Sequence, residues 1–450
     1  MALNTIGSGL DIPTIVAQLV AAERAPTANR INSAGTAATA KLSALGNIKS
    51  GLSNLQTALE ALGKSASNPA FKANVAEGAG FSASIGTGAV AGSYSIEVAS
   101  LAQAQKLTSG AFAKDEAVGD GTLSIAWGDS SLDVEIAEGS TLSDIAAAIN
   151  KAAGGKGVNA SVITADGGQH LVLNATELGT DGALTLSASG GDGGLAALTW
   201  DGNPLNNSNG LAQQQEATNA VVRVDGFERT SSSNSITDII PGVNLSLGKA
   251  DVGVTKTLTV SQDNAPLKAN VQAFVAAYNA TMGVLKSSSS YNATSNTASA
   301  LTGDAMVRGL QQQMRNQVSG SVSDLKALGI SISKEGTLSL DAGEFDKAMA
   351  ANPAAADALL GEKGSLATSM KTMLKSQLDA THGSLSLRTE GLNKQIKKLE
   401  SDLDKLDARM EKVSDRYTKQ FTAMDTMVAK MQSTSDYLTQ QLASLTPKSK

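Results

Sequence analysis

The sequence predicts a multidomain α+β protein. A terminal α-helical coiled coil or bundle is expected to carry two nested β-rich domains inserted between its helical arms. Three observations lead there. Leu392, Ile396, Leu399, Leu403, Leu406, Met410, Val413 and Tyr417 alternate steps of four and three, which holds apolar side chains on one helical stripe. Leu42, Leu45, Ile48, Leu52, Leu55, Leu59 and Leu62 repeat the pattern near the other end of the chain. Between them, short apolar runs separated by Gly-rich turns read as strands.

A chain of 450 residues is long enough for several domains. Its hydrophobic fraction of 41% suffices for packed cores, while aromatics make up only 3%. A net charge of -6 gives no basic face for nucleic acid. There are no cysteines, which excludes disulfides and thiolate metal sites. No apolar run approaches a membrane span. The first basic residue is Arg24, so the basic start of a cleavable signal peptide is missing.

In chain order, Asp11 is a candidate N-cap and Pro13 suits the first turn of a helix. Ile12, Ile15, Val16, Leu19 and Val20 form its apolar face, and Pro26 is expected to end it. The small, polar stretch Thr27–Thr39 gives a weak helical signal. The stripe Leu42–Leu62 follows and is read as the partner of the C-terminal stripe. Strands are expected at Phe71–Ala76, Phe81–Ile85 and Tyr94–Leu101. Next comes Leu132–Ile136, then a helix capped by Thr141 with Asp144 completing a capping box. Further strands fall at Val158–Thr164, His170–Ala175 and Ala183–Ala188, and Asn203–Gln215 reads as a polar linker or loop. Val221–Val224, Val243–Leu247 and Lys256–Val260 return to strand. Helices are then expected at Leu267–Lys286 and Met306–Val318, a hairpin at Gly329–Leu340, and helices at Ala342–Ala351 and Leu366–Leu378. The long helix begins at Gly383. Its stripe continues through Phe421, Met424, Val428, Met431, Leu438, Leu442 and Leu445, with a register shift at Tyr417.

These elements give a domain map. Residues 1–40 form a terminal helical region pairing with 410–450, and 41–70 begin the bundle. Residues 71–104 and 216–265 form one β-rich domain, with 105–215 inserted as another. Residues 266–409 complete the bundle, and 410–450 form a C-terminal coiled-coil helix.

Catalytic and metal chemistry find no constellation. His170 and His382 fall in different predicted domains without His or Cys partners. Asp341, Glu344 and Asp346 suit the first turn of a helix better than a calcium site. Gly190-Gly191-Asp192-Gly193-Gly194 lacks the Lys-Ser/Thr of a phosphate loop. The reading is therefore a protein that is not an enzyme and needs no cofactor.

Several segments resemble one family, the bacterial flagellar filament cap or flagellar hook-associated protein 2. The N-terminal signature is Gly7-Ser8-Gly9-Leu10-Asp11-Ile12, followed by Ile15-Val16, Leu19-Val20, Glu23 and Pro26. Leu132–Leu186 is similar to the flagellin-type IN repeat, through Thr141-Leu142, Asp144-Ile145, Ala148-Ile149-Asn150 and Leu171-Val172-Leu173. Toward the C-terminus, Leu328-Gly329-Ile330, Gly336–Asp341, Arg416-Tyr417 and Gln420-Phe421 match. The resemblance implies an oligomeric ring at the filament tip, with helical legs touching flagellin and β-rich head domains forming a plate. The plate would retain exported subunits while they fold and insert. It further implies an export chaperone before secretion and an extracellular location. An adhesin binding host glycan or mucin, and another flagellar axial component, are the competing readings. Self-assembly is assigned to both stripes through Phe421 and Met424, and terminal assembly to Ile12, Ile15, Leu19, Leu438 and Leu442.

Overall fold

The computed structural model describes residues 11–205 and 209–445. Two compact units emerge, one built from residues up to Asn68 and from Asn264 onward, the other from Pro69–Asp263. In chain order the helices are α1 (Ile12–Ser67), α2 (Leu142–Ala153), α3 (Ala265–Ser289), α4 (Ala305–Ser319), α5 (Val322–Ala327), α6 (Ala342–Ala351), α7 (Ala354–Leu360), α8 (Ser365–Leu378) and α9 (Ser384–Leu445).

The helical unit is organised by α1. Asp11 caps it by accepting from the Thr14 N–H at 3.2 Å, and the helix runs unbroken for 56 residues. Pro26 therefore does not end it, contrary to the sequence reading. A proline inside a helix forfeits one hydrogen bond and clashes with the preceding turn, at about 3 kcal/mol. Here the cost is offset by burial on both sides of it, of Val16 before and Ala28, Ile31 and Ala38 after. The weak stretch 27–39 is helical for the same reason.

The two stripes meet different partners. Leu45, Ile48, Leu52, Leu55, Leu59 and Leu62 are buried in a core shared with Leu267, Val271, Phe274 and Tyr278 of α3 and with Leu366 and Met370 of α8. The C-terminal stripe from Leu399 to Tyr417 packs instead on Val20, Ala28 and Ile31. The expected pairing of Leu42–Leu62 with Leu392–Tyr417 holds only where Leu392 and Ile396 enter the main core. Pattern shows that a stripe needs covering; it does not show by which helix.

Close contacts fix this core. The Thr281 hydroxyl lies 2.9 Å from the Gly51 carbonyl and 2.7 Å from that of Ala277, drawing α3 against α1. Asn279 pairs its amide with both backbone groups of Leu338, at 2.8 Å each, and so docks the hairpin Ile330–Ile332/Leu338–Leu340. Gly329, at φ +72°, packs so tightly that a Cβ would sit 2.8 Å from the Phe345 nitrogen.

The strand-rich unit contains two apolar cores. One lies between a five-stranded antiparallel sheet, in the order 70–75, 256–263, 92–100, 220–224, 227–231, and a three-stranded sheet of 235–240, 243–247 and 81–85. The other is built from a four-stranded sheet (212–215, 106–108, 168–175, 158–165), a three-stranded sheet (130–136, 121–127, 184–189) and α2. Ala212–Gln215 is thus a strand, although Asn203–Gln215 reads as linker. The Thr141 capping box on α2 is complete, with both reciprocal bonds present.

Candidate assembly surface

Among the described residues no group of three or more His, Cys, Asp or Glu side chains could hold a metal ion. Asp341 spends its carboxylate capping α6, accepting from the Gly343 and Glu344 N–H groups at 2.9 and 3.0 Å. Glu344 pairs with Lys347 and Asp346 with Lys268. His170 Nδ1 lies 3.0 Å from the Ser109 carbonyl, and His382 sits beside Asp379 on a turn.

The surface that stands out is the pair formed by the first half of α1 and the middle of α9. The two run antiparallel. Arg24 Nε donates to Asp407 Oδ1 at 2.7 Å, while Ala38 shares a core with Leu392. At the other end the Tyr417 hydroxyl donates to Glu23 at 3.2 Å. The Arg24 guanidinium, by hydrogen bonding, holds the Asp407 carboxyl below the usual carboxylate range. Arg416 lies over the Tyr417 ring, 5.2 Å from its centre. Leu406, Met410 and Val413 bury themselves against Ala28 and Ile31.

The predicted assembly residues divide into three groups. Leu45, Ile48, Leu52, Leu55, Leu59 and Leu62 are sealed inside the chain's own core, with Leu42 partly buried against it. No other subunit can reach the sealed ones, because the chain itself already covers them. Leu392, Leu406, Met410 and Val413 are buried, and Ile396, Leu399, Leu403, Tyr417 and Phe421 are half-buried. Ile12 and Ile15 are also half-buried, whereas Leu19, Met424, Leu438 and Leu442 are exposed. Sequence reasoning missed Ala28, Ile31 and Ala38. The three-residue step from Ala28 to Ile31 and the seven-residue step on to Ala38 were the available signal, masked by counting alanine as neutral.

Beyond Phe421, α9 changes character. Met427, Met431 and Leu442 are each 66% exposed, and Leu438 is 55% exposed. These lie on a helix whose earlier stripe is covered. Contiguous exposed apolar residues of this kind mark interaction surfaces. No helix among the described residues is long and apolar enough to cross a membrane.

Comparison with known proteins then bears on the whole chain. The family models described as flagellar hook-associated protein 2 N-terminus and C-terminus match residues 8–105 and 217–433. That of the flagellin hook IN motif matches 122–177, starting and ending earlier than the Leu132–Leu186 window read from sequence. The B-type flagellar hook-associated protein 2 of Pseudomonas aeruginosa is 34% identical, over 94% of this chain and 93% of its own length. Flagellar hook-associated protein 2 of Escherichia coli K12 is 34% identical over 93% of this chain and 92% of its own. A crystal structure of the Escherichia coli flagellar cap protein, covering its D1-D2-D3 domains, superposes with a TM-score of 0.61 at 32% identity. It covers 78% of this chain and 99% of that one.

Proposed function

Because the chain belongs to the flagellar hook-associated protein 2 family, we propose that it is the structural cap at the distal tip of the bacterial flagellar filament. The observation that carries this reading is likeness along nearly the whole length to relatives so named, at 34% identity. That likeness does not favour the adhesin reading. The cap works by assembly rather than by catalysis: copies form a ring that retains exported flagellin and promotes its folding and insertion.

The division into two units supports a leg and a head. Residues 41–70 and 266–409 serve as leg, 1–40 and 410–450 as paired terminal helices, and 71–104 with 216–265 as head, with 105–215 nested in it as a further domain. The exposed end of α9 supports a role in assembly at the termini, and an export chaperone would cover it before secretion. The protein reaches the tip by the flagellar export route.

The test is complementation of a strain lacking its own cap. Cells carrying this chain should swim and retain flagellin. Flagellin shed into the medium, with the chain exported and folded, would contradict the reading.

A further inference from the structure

Two incomplete surfaces of the helical unit are complementary to each other. The first is a groove of about 510 Å3 between α1 and α9. Its floor is Ile31, Leu399 and Leu406, and the small Ala34 leaves it open. Arg30 and Arg409 stand on its two banks and form no ion pair among the described residues, while Lys405 and Asp402, which also line it, pair with each other at 3.6 Å and leave the groove net positive. A groove between two antiparallel helices is shaped to take the ridge of a third.

The second surface is the far end of α9. Met431, Leu438 and Leu442 recur at steps of seven and four, so they share one helical face, and all are exposed. Between Met431 and Leu442 the only charge is Asp436, opposite in sign to the groove's arginines, and there is no cation to repel them. Methionine and leucine on an exposed helix adapt readily to such a groove.

Within one chain the end of α9 cannot reach this groove. Arg24 faces Asp407, and α9 runs away from Ala34 beyond that point. From the level of Ala34 to Ser435 is about 38 helical residues, or roughly 55 Å at 1.5 Å per residue.

We propose that the Met431–Leu442 face of α9 docks into the α1/α9 groove of a second copy of this chain. Each copy gives its α9 end to one neighbour and receives that of another. A head-to-tail contact of this kind closes into a ring when the rotation allows. This supplies the contact for the ring invoked above and rests on that reading.

The absence of native cysteine makes the test direct. Full-length chain carrying Ala34→Cys and Ser435→Cys is oxidised, or bridged with a short dithiol-reactive reagent, and run under denaturing conditions. The double variant should give a ladder of covalent multimers. Each single variant alone should give none beyond a dimer, and a mixture of the two singles should give the 34–435 dimer. Leu438→Asp with Leu442→Asp should lower the mass seen by light scattering while leaving helicity unchanged. Oligomers that form without any 34–435 bridge would overturn the contact and leave the ring intact. A chain that stays monomeric at every concentration would overturn both.

Discussion

Single residues carry this structure in proportion to their burial. Leu52 is fully buried among α1, α3 and α8 neighbours, whereas Leu438 is mostly in solvent. Leu52→Ala should therefore cost about 2–5 kcal/mol by denaturant titration. Leu438→Ala should leave the monomer's stability within about 0.5 kcal/mol of wild type. Asp407 supplies a pH prediction whose sign follows from its lowered carboxyl. A carboxylate depressed in the folded state adds stability above its unfolded pKa, about 3.9. That contribution is lost as pH falls through the lower folded value. Thermal melts should show wild type losing its advantage over Asp407→Asn as pH drops from about 5 toward 3. An advantage that persists at the acid end would mean that Arg24 does not act through this pair. Polar residues that act on the backbone were harder to foresee. Asn150 pairs with both backbone groups of Ala160, at 2.7 and 2.8 Å, and Asn234 does the same with Ala102, at 2.9 and 2.8 Å. Their positions in the sequence do not show which backbone groups they will meet.

At the scale of elements, what was legible is what leaves a strong period. The leucine stripes at Leu42–Leu62 and Leu392–Tyr417, the capped α2 and the hairpin turning near Gly336 could all be read from spacing. The continuity of α1 could not, because Pro26 is a local stop signal and its cancellation lies in α9, hundreds of residues away. Partner choice was also illegible. Leu52 packs toward α3, where neighbouring Gly51 meets Thr281, whereas Leu403 belongs with Ile31. A Leu52/Leu403 cysteine pair should therefore stay unlinked within one chain. Edge strands escape pattern reading for another reason. Phe227–Ser231 lies at the edge of its sheet and is exposed along most of its length, so it shows no alternation of apolar and polar residues. Pro26→Ala removes the helix defect and keeps the buried seam. It should raise stability, by up to about 3 kcal/mol, in denaturant titration. A loss of stability would show that the proline shapes α1 to fit α9.

The whole molecule separates a self-sufficient part from one that needs company. The core of α1, α3 and α8 is closed, and so are the two cores of the strand-rich unit. The end of α9 instead carries several exposed apolar side chains along one helix, Met427, Met431, Leu438 and Leu442. Fully burying a side chain of this size stabilises by roughly 1.5–3 kcal/mol, so several together suffice to drive association. The capping account thus locates assembly in a segment on which the folded cores do not depend. The most direct measurement is motility, together with flagellin in the culture medium, for a chain ending after Phe421, with circular dichroism of the purified protein as control. The account predicts a folded protein, non-motile cells and unpolymerised flagellin in the medium. Normal filaments from that folded truncation would contradict it.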